Sequence, residues 1–284
     1  MIQLTHPTRR RTVLRAMTAG AAAAALPAVH AQGDRPVSLI VSYPAGGGAD
    51  LMARLIAPHL ATALGRSVVV ENKPGASGQI AASFVAKAAP DGNTLLLDAS
   101  SFAVNPSLFA KLPYDSEKDF TPLGIVALFP NVLVCTPSYE ARTVKDVVRL
   151  AKASPARISY ASSGNGSAQH LAGALFEDRA GVQLVHVPYR GGGPALTDVM
   201  GGQVPLFFAN VASSLGHIQS GRLRPLGATS RRRARALPEV PTMEEAGVPG
   251  YEVLEWNPVL APAGLAPALK TRLRDALRKA SDAC

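Results

Sequence analysis

The sequence predicts an α/β protein of two lobes with a cleft between them, and three observations carry this. Short β-branched runs alternate with helical patterns, the signature of a largely parallel sheet covered by helices. The alternation restarts near residue 130, as a second α/β lobe requires. Two glycine triplets, Gly46-Gly47-Gly48 and Gly191-Gly192-Gly193, each stand at a strand-to-helix turn, one in either half. Glycines at such a turn let the backbone come close to a ligand and free several N–H groups to point at it. The helix N-terminus behind them adds about half a positive charge. Two such turns suggest one anion gripped between two lobes.

The elements follow in chain order. Residues 1–31 read as an export signal. Arg9, Arg10, Arg11 and Arg15 precede an apolar run over residues 16–26, and Ala28-Val29-His30-Ala31 has small residues where a signal peptidase cuts. Arg10-Arg11-Thr12-Val13-Leu14-Arg15 suits the twin-arginine route, with an ordinary Sec signal as the alternative. The apolar run is shorter than the roughly 20 residues that a membrane span needs. Cleavage after Ala31 removes four arginines and lowers the formal net charge from +9 to +5.

The first lobe is expected over residues 32–130. Val37–Val41 reads as a strand, 49–64 as a helix, 67–71 as a strand, and 78–88 as a helix ended by the turn Pro90-Asp91-Gly92. Thr94–Leu97 and 123–128 read as buried strands. The second lobe is expected over residues 131–252. It begins with a strand at 132–135 and a helix over Val144–Ala153, then a strand at 158–161 and a helix at 167–180. A strand at 182–187, a helix from Pro194, and runs at 204–208, 217–220 and 226–228 complete it. Residues 230–250, rich in Arg, Pro and Glu, read as a surface loop with a short helix. The segment 253–284 returns to the first lobe, through an extended apolar run over 251–260 and a helix over 267–280. A cleft crossed by two linkers is how a hinged binding protein is built.

Composition narrows the function. With 284 residues, 47% hydrophobic and 17% charged, the chain can bury a large core. Aromatics at 5% argue against a stacking platform for nucleic acid bases, so the run Arg231-Arg232-Arg233-Ala234-Arg235 reads as a solvated loop. The two cysteines, Cys135 and Cys284, read as a buried free thiol and a terminal one. His59, His170, His186 and His217 show no metal-ligand spacing, so neither a metal nor a cofactor is expected. Ser162-Ser163-Gly164-Asn165-Gly166-Ser167 is a third strand-to-helix turn. Its Gly-x-Gly lacks the third glycine and the acid of a dinucleotide site, and no turn ends as a phosphate-binding Walker loop does. Hydroxyl and amide donors at a helix start remain, which suit a carboxylate or phosphate. His170, in the first turn of that helix, is either a ligand contact or a packing residue. Asp50 and Asp198, near the starts of the two glycine-led helices, are either caps or partners for a ligand ammonium.

The motifs together resemble the substrate-binding receptors of tripartite tricarboxylate transporters, the Bordetella uptake gene family. The resemblance runs from about residue 35 to residue 269. It rests on Tyr43-Pro44-Ala45-Gly46-Gly47-Gly48-Ala49-Asp50, Glu71-Asn72-Lys73-Pro74-Gly75-Ala76, Pro90-Asp91-Gly92-Asn93-Thr94-Leu95 and Asn105-Pro106-Ser107-Leu108. It continues through Ser163-Gly164-Asn165-Gly166-Ser167, His186-Val187-Pro188-Tyr189-Arg190-Gly191-Gly192-Gly193-Pro194-Ala195, and Leu237-Pro238-Glu239-Val240-Pro241-Thr242. The resemblance implies a periplasmic binding protein-like fold of two α/β lobes joined by a double crossover. It also implies a small carboxylate ligand (a di- or tricarboxylate, an acidic amino acid or an aromatic acid) held mainly by backbone amides of the two glycine loops. The expected ligand-binding residues are Tyr43, Ala45, Gly46, Gly47, Gly48, Asp50, Ser100, Ser101, Ser163, Asn165, Gly166, Ser167, His170, Tyr189, Gly191, Gly192, Gly193 and Ala195. The implied partners are the membrane subunits of such a transporter, with the receptor itself a monomer in the periplasm and not an enzyme. Two departures stand out. Pro258 follows Trp256-Asn257 where these receptors usually carry glycine, which predicts a distorted crossing. The chain also stops where they continue with a further strand and helix, so a C-terminally shortened fold is expected. Two other functions share the same pattern: a carboxylate sensor that docks to a signalling receptor, and an exported hydrolase or isomerase using Ser or His near the cleft.

Overall fold

The computed structural model describes residues 35–284; the expectations for residues 1–31 lie outside the described residues. Strands β1 (Val37–Val41), β2 (Val68–Asn72) and β3 (Thr94–Leu97) are parallel, in the order β2-β1-β3. Because side chains alternate along a strand, β1 feeds two cores. Val37, Leu39 and Val41 pack under helix α1 (Gly48–Leu64) and the last helix, while Ile40 packs under α2 (Gln79–Ala86). Burial on both faces accounts for the largely apolar β1 and β3, whereas β2, at the edge of the sheet, is partly exposed and ends in Glu71-Asn72. Helix α3 (Ser101–Leu108) follows β3.

The chain then crosses. Strand β4 (Phe120–Cys135) runs for 16 residues from the first half into the second. It is followed by α4 (Val144–Ala153), β5 (Ser159–Ser162), α5 (Ala168–Ala180), β6 (Val185–Pro188), α6 (Gly192–Met200), β7 (Leu206–Asn210), α7 (Val211–Gln219) and β8 (Arg224–Ala228). Here β5, β6 and β7 are parallel, with α4 and α5 packed on one face and α6 and α7 on the other. Strand β9 (Leu254–Pro262) returns antiparallel to both β3 and β4, and α8 (Pro267–Asp282) closes the first core. The sheet order is β2-β1-β3-β9-β4-β7-β5-β6, so β4 and β9 lie side by side as the two connections. Strand β4 leaves β9 after Pro130 (opposite Leu254) and takes up β7 from Asn131 (opposite Asn210).

Several expectations are corrected. The strands expected at 123–128 and 132–135 are one strand. The β4–β9 pairing runs through Pro130 in register, opposite Leu254, and shifts register between Pro122 and Gly124 and between Ile125 and Ala127. The second shift lies opposite Pro258, which has no N–H to donate and whose carbonyl accepts from the Asp98 N–H at 3.1 Å. The 217–220 run ends α7. The helix expected from residue 78 begins with a separate 3-10 turn (Ala76–Gly78), because Ala76, Ser77 and Gly78 all take positive φ, at 48°, 54° and 87°. The 230–250 loop is anchored, with Leu237, Val240, Met243 and Val248 buried in the second-half cores. The sheet is mixed, since β4, β8 and β9 pair antiparallel. Cys135 is buried and Cys284 exposed, and both are free.

Candidate functional site

Four helix N-termini meet between the two halves: α1, capped by Gly47, α5 by Ser167, α6 by Gly191 and α7 by Asn210. They surround a small inner cavity, in which only about 20 Å3 can take the centre of a water molecule. Of the residues expected from sequence, Tyr43, Gly47, Gly48, Ser163, Ser167 and Gly192 line it. No Lys, Arg or His does, so the attraction this wall can offer an anion is that of the helix N-termini and their backbone N–H groups.

The two glycine loops touch. A β-carbon on Gly191, where φ is +127°, would lie 2.4 Å from the Pro44 ring, and one on Gly193 would lie 3.4 Å from the Ala45 carbonyl. Each loop is tied down by its own aspartate. Asp50 accepts from the Gly46 N–H at 3.0 Å, from Arg54 at 3.1 Å and from Asn72 at 2.9 Å. Burial pushes Asp50 up, but the bonds from Arg54, Gly46 and Asn72 outweigh it and hold the carboxyl below its usual range. Asp198 accepts from the Tyr189 hydroxyl at 2.7 Å. Both carboxyl oxygens of Asp50 are therefore engaged, Oδ2 by Gly46 and Arg54 and Oδ1 by Asn72 and Arg54.

The remaining expected residues stand behind these walls or on an outer cavity of about 560 Å3, lined by Tyr43, Ser77, Ser163, Asn165, Tyr189 and Arg190 among others. The Ser101 hydroxyl bonds the Tyr43 hydroxyl at 2.8 Å, and both are buried. The Ser100 hydroxyl is buried without a partner among the described residues. Gly166, at φ +75°, donates its N–H to His170 Nδ1 at 3.1 Å, so that histidine props its own turn. Ala195 is fully buried in the α6 core. Ala45, Gly46, Asp50, Ser100, Ser101, Gly166, His170, Gly191, Gly193 and Ala195 thus line neither cavity.

Four polar residues on the inner wall were not foreseen: Gln169, Asn210, Ser213 and Glu255. Glu255, on β9, is 6% exposed and accepts from Gln169 Nε2 at 2.6 Å and Asn210 Nδ2 at 3.0 Å. Burial pushes its carboxyl upward, against these two bonds. An acid in the middle of the apolar 251–260 run was the signal that could have found it, although Glu252, paired with Arg231 at the surface, lies in the same run. Asp98, at the end of β3, is also fully buried. Burial pushes it up to about 7, while bonds from the Ser42 hydroxyl and the Ala99 N–H pull the other way.

The fold also brings together histidines that are distant in sequence. His170 and His186 stack with ring centroids 4.0 Å apart, and His186 Nε2 lies 2.6 Å from the Ser162 hydroxyl. Burial, and then His170, push His186 down to about 4. Ser162 is 0% exposed and its hydroxyl also bonds the Gly164 backbone, so it offers no surface to a substrate. Among the described residues, no group of three or more His, Cys, Asp or Glu is placed to hold a metal ion.

Comparison with known proteins places the chain in a family. The family model for the tripartite tricarboxylate transporter family receptor matches residues 52–284. Protein BugT of Bordetella pertussis is 40% identical over 237 residues, 83% of this chain and 73% of BugT. The R. palustris protein Rpa4515, solved with adipate, superposes with a TM-score of 0.83 at 37% identity, covering 86% of this chain and 82% of that one. MatC from Rhodopseudomonas palustris, solved with bound malate, gives 0.81 at 31% identity, covering 87% and 84%. With a matching model over most of its length and these relatives, the chain belongs to the tripartite tricarboxylate transporter family of receptors.

Proposed function

We propose that this chain is a periplasmic receptor that closes on a small carboxylate and delivers it to the membrane subunits of a tripartite tricarboxylate-type transporter. The observation that carries the reading is the meeting of four helix N-termini at a cavity without a basic side chain. Backbone amides can hold a carboxylate there without a counter-ion. Adipate in Rpa4515 and malate in MatC support the ligand class. In this reading residues 32–130 and 131–252 are the lobes, 253–284 is the return, and Gly47, Gly48, Gly192, Ser163 and Ser167 contact the ligand. The receptor acts as a monomer.

A thermal-shift screen of di- and tricarboxylates, acidic amino acids and aromatic acids tests binding. Ligand at a hundred times its dissociation constant stabilises by about 2.7 kcal/mol, and a screen without any shift overturns the reading. Uptake of the best ligand by a deletion strain separates transport from sensing. The Arg10-Arg11 pair and Ala28–Ala31 support twin-arginine export with cleavage after Ala31. N-terminal sequencing of secreted protein should begin at Gln32, and replacing both arginines with lysine should block export.

A further inference from the structure

The inner cavity contains a feature that a plain anion site does not call for: a buried carboxylate in its wall. Glu255 lines the cavity, and its Oε2 takes the amide donors of both Gln169 and Asn210. The direction of the Asn210 bond is fixed from behind. Asn210 Oδ1 caps α7 by accepting from the Ala212 N–H at 2.9 Å, which leaves only the amide nitrogen to face Glu255. Among the described residues no donor reaches Glu255 Oε1, and that atom is not among those sealed from solvent. The cavity wall therefore presents a carboxyl acceptor, with no basic side chain beside it.

We propose that Glu255 makes this site select carboxylates that also carry a hydrogen-bond donor, an ammonium ahead of a hydroxyl, next to the carboxylate held by the glycine loops. This rests on the reading of the cavity as a carboxylate site. The helix N-termini have a limited positive potential, which Glu255 shares with any bound anion. A second acid group against Oε1 would put two like charges side by side in a site from which water is excluded. An ammonium turns that repulsion into a charge-assisted bond, and a hydroxyl satisfies the acceptor without charge. A ligand without a donor leaves Oε1 unpaired, and sites built to bond a polar ligand group discriminate strongly against analogues that lack it.

Glu255→Gln reverses the face. Gln169 and Asn210 both donate, so the new amide must turn its oxygen to them and its nitrogen to the cavity. The wall then offers a donor where it had an acceptor. The test is calorimetric titration of the full chain and of Glu255→Gln with two series of equal carbon length: succinate, L-malate and L-aspartate, then glutarate, 2-hydroxyglutarate and L-glutamate. In the series that fits, the amino acid should bind the wild type at least tenfold tighter than the donor-free acid, with the hydroxy acid between. In Glu255→Gln the amino acid should lose tenfold or more, and the donor-free acid should bind equally or better. Succinate or glutarate binding the wild type as tightly as its donor-bearing partners overturns the proposal and leaves the carboxylate reading intact, as does a preference that persists in Glu255→Gln. Binding of none of the six while another carboxylate of the screen binds overturns the proposal alone, and a screen without any shift overturns both. Should Glu255→Gln melt too low to titrate, the order of the three ligands on the wild type alone decides.

Discussion

The glycines of the two loops meet different neighbours, so they should not respond alike to one added methyl group. A β-carbon at Gly48 would fall 2.6 Å from Asn210 Nδ2, displacing a side chain that caps α7 and holds Glu255. At Gly191 it would fall 2.4 Å from the Pro44 ring, at a φ of +127° that favours glycine. At Gly47 the nearest atom is the Pro44 carbonyl at 3.4 Å. Gly48→Ala and Gly191→Ala should therefore weaken carboxylate binding about tenfold or more, roughly 1.4 kcal/mol, while Gly47→Ala stays within about threefold. Calorimetry on the three variants checks this, and equal losses would count against it. Asp98 gives a prediction about pH. Its carboxyl is pushed up to about 7 in the folded chain, whereas an unfolded aspartate ionises near 4. Between those values the native state holds more protons, so stability falls as pH rises through the window. Asp98→Asn keeps an oxygen for the Ser42 hydroxyl and the Ala99 N–H. Relative to wild type it should gain roughly 2–4 kcal/mol on going from pH 4 to pH 8, read from urea unfolding at both. A difference that does not change with pH would contradict this.

At the scale of elements, two helix caps of similar strength separate stability from function. Thr143 closes a capping box with Asp146 at the start of α4, away from the cavity. Ser167 caps α5, accepts from the His170 N–H at 3.3 Å, donates to the Gly164 carbonyl at 2.8 Å and lines the cavity. Either change to alanine should cost about 1 kcal/mol of stability, but only Ser167→Ala should also weaken ligand binding. Melting curves and titrations on both variants make the comparison, and a binding loss in Thr143→Ala equal to that in Ser167→Ala would refute it. The same elements explain what could be read from sequence. Residue pattern found β1, β3 and α4 to the residue: the two strands are short apolar runs buried against a core on either face, and α4 buries one stripe against a single core. It missed α3, where Pro106 sits inside the helix, and it split β4 across residues 129–131, where Pro130 stays in register opposite Leu254. The glycine loops were legible because a positive φ or a close approach leaves a mark on composition. Glu255, Gln169 and Asn210 were not, since what brings them together is the pairing of β4 with β7 and β9 across more than eighty residues of chain.

At the scale of residues 35–284 as a whole, the cleft is closed at both rims. Pro44 abuts Gly191 at one rim, and Leu108 abuts Gly166 at the other, where an added β-carbon would sit 2.9 Å from Leu108 Cδ2. With only about 20 Å3 open to the centre of a water molecule, the inner cavity does not admit a dicarboxylate as it stands. The lobes must part for a ligand to enter, and only β4 and β9, irregular at Gly124 and Pro258, connect them in the sheet. Opening about those two strands is a hinge motion of a few residues. The observed rate of ligand binding should therefore level off as ligand concentration rises, at the rate of the conformational step, instead of climbing linearly. Small-angle scattering should show a smaller radius of gyration with saturating ligand than without. Leu108→Ala removes a rim contact without touching the inner cavity, so it should shift the free protein toward the open form and raise the apparent dissociation constant about threefold to tenfold. Binding rates that rise linearly, with an unchanged radius, would instead place the ligand in the outer cavity beside Tyr189 and Arg190, where entry needs no parting of the lobes.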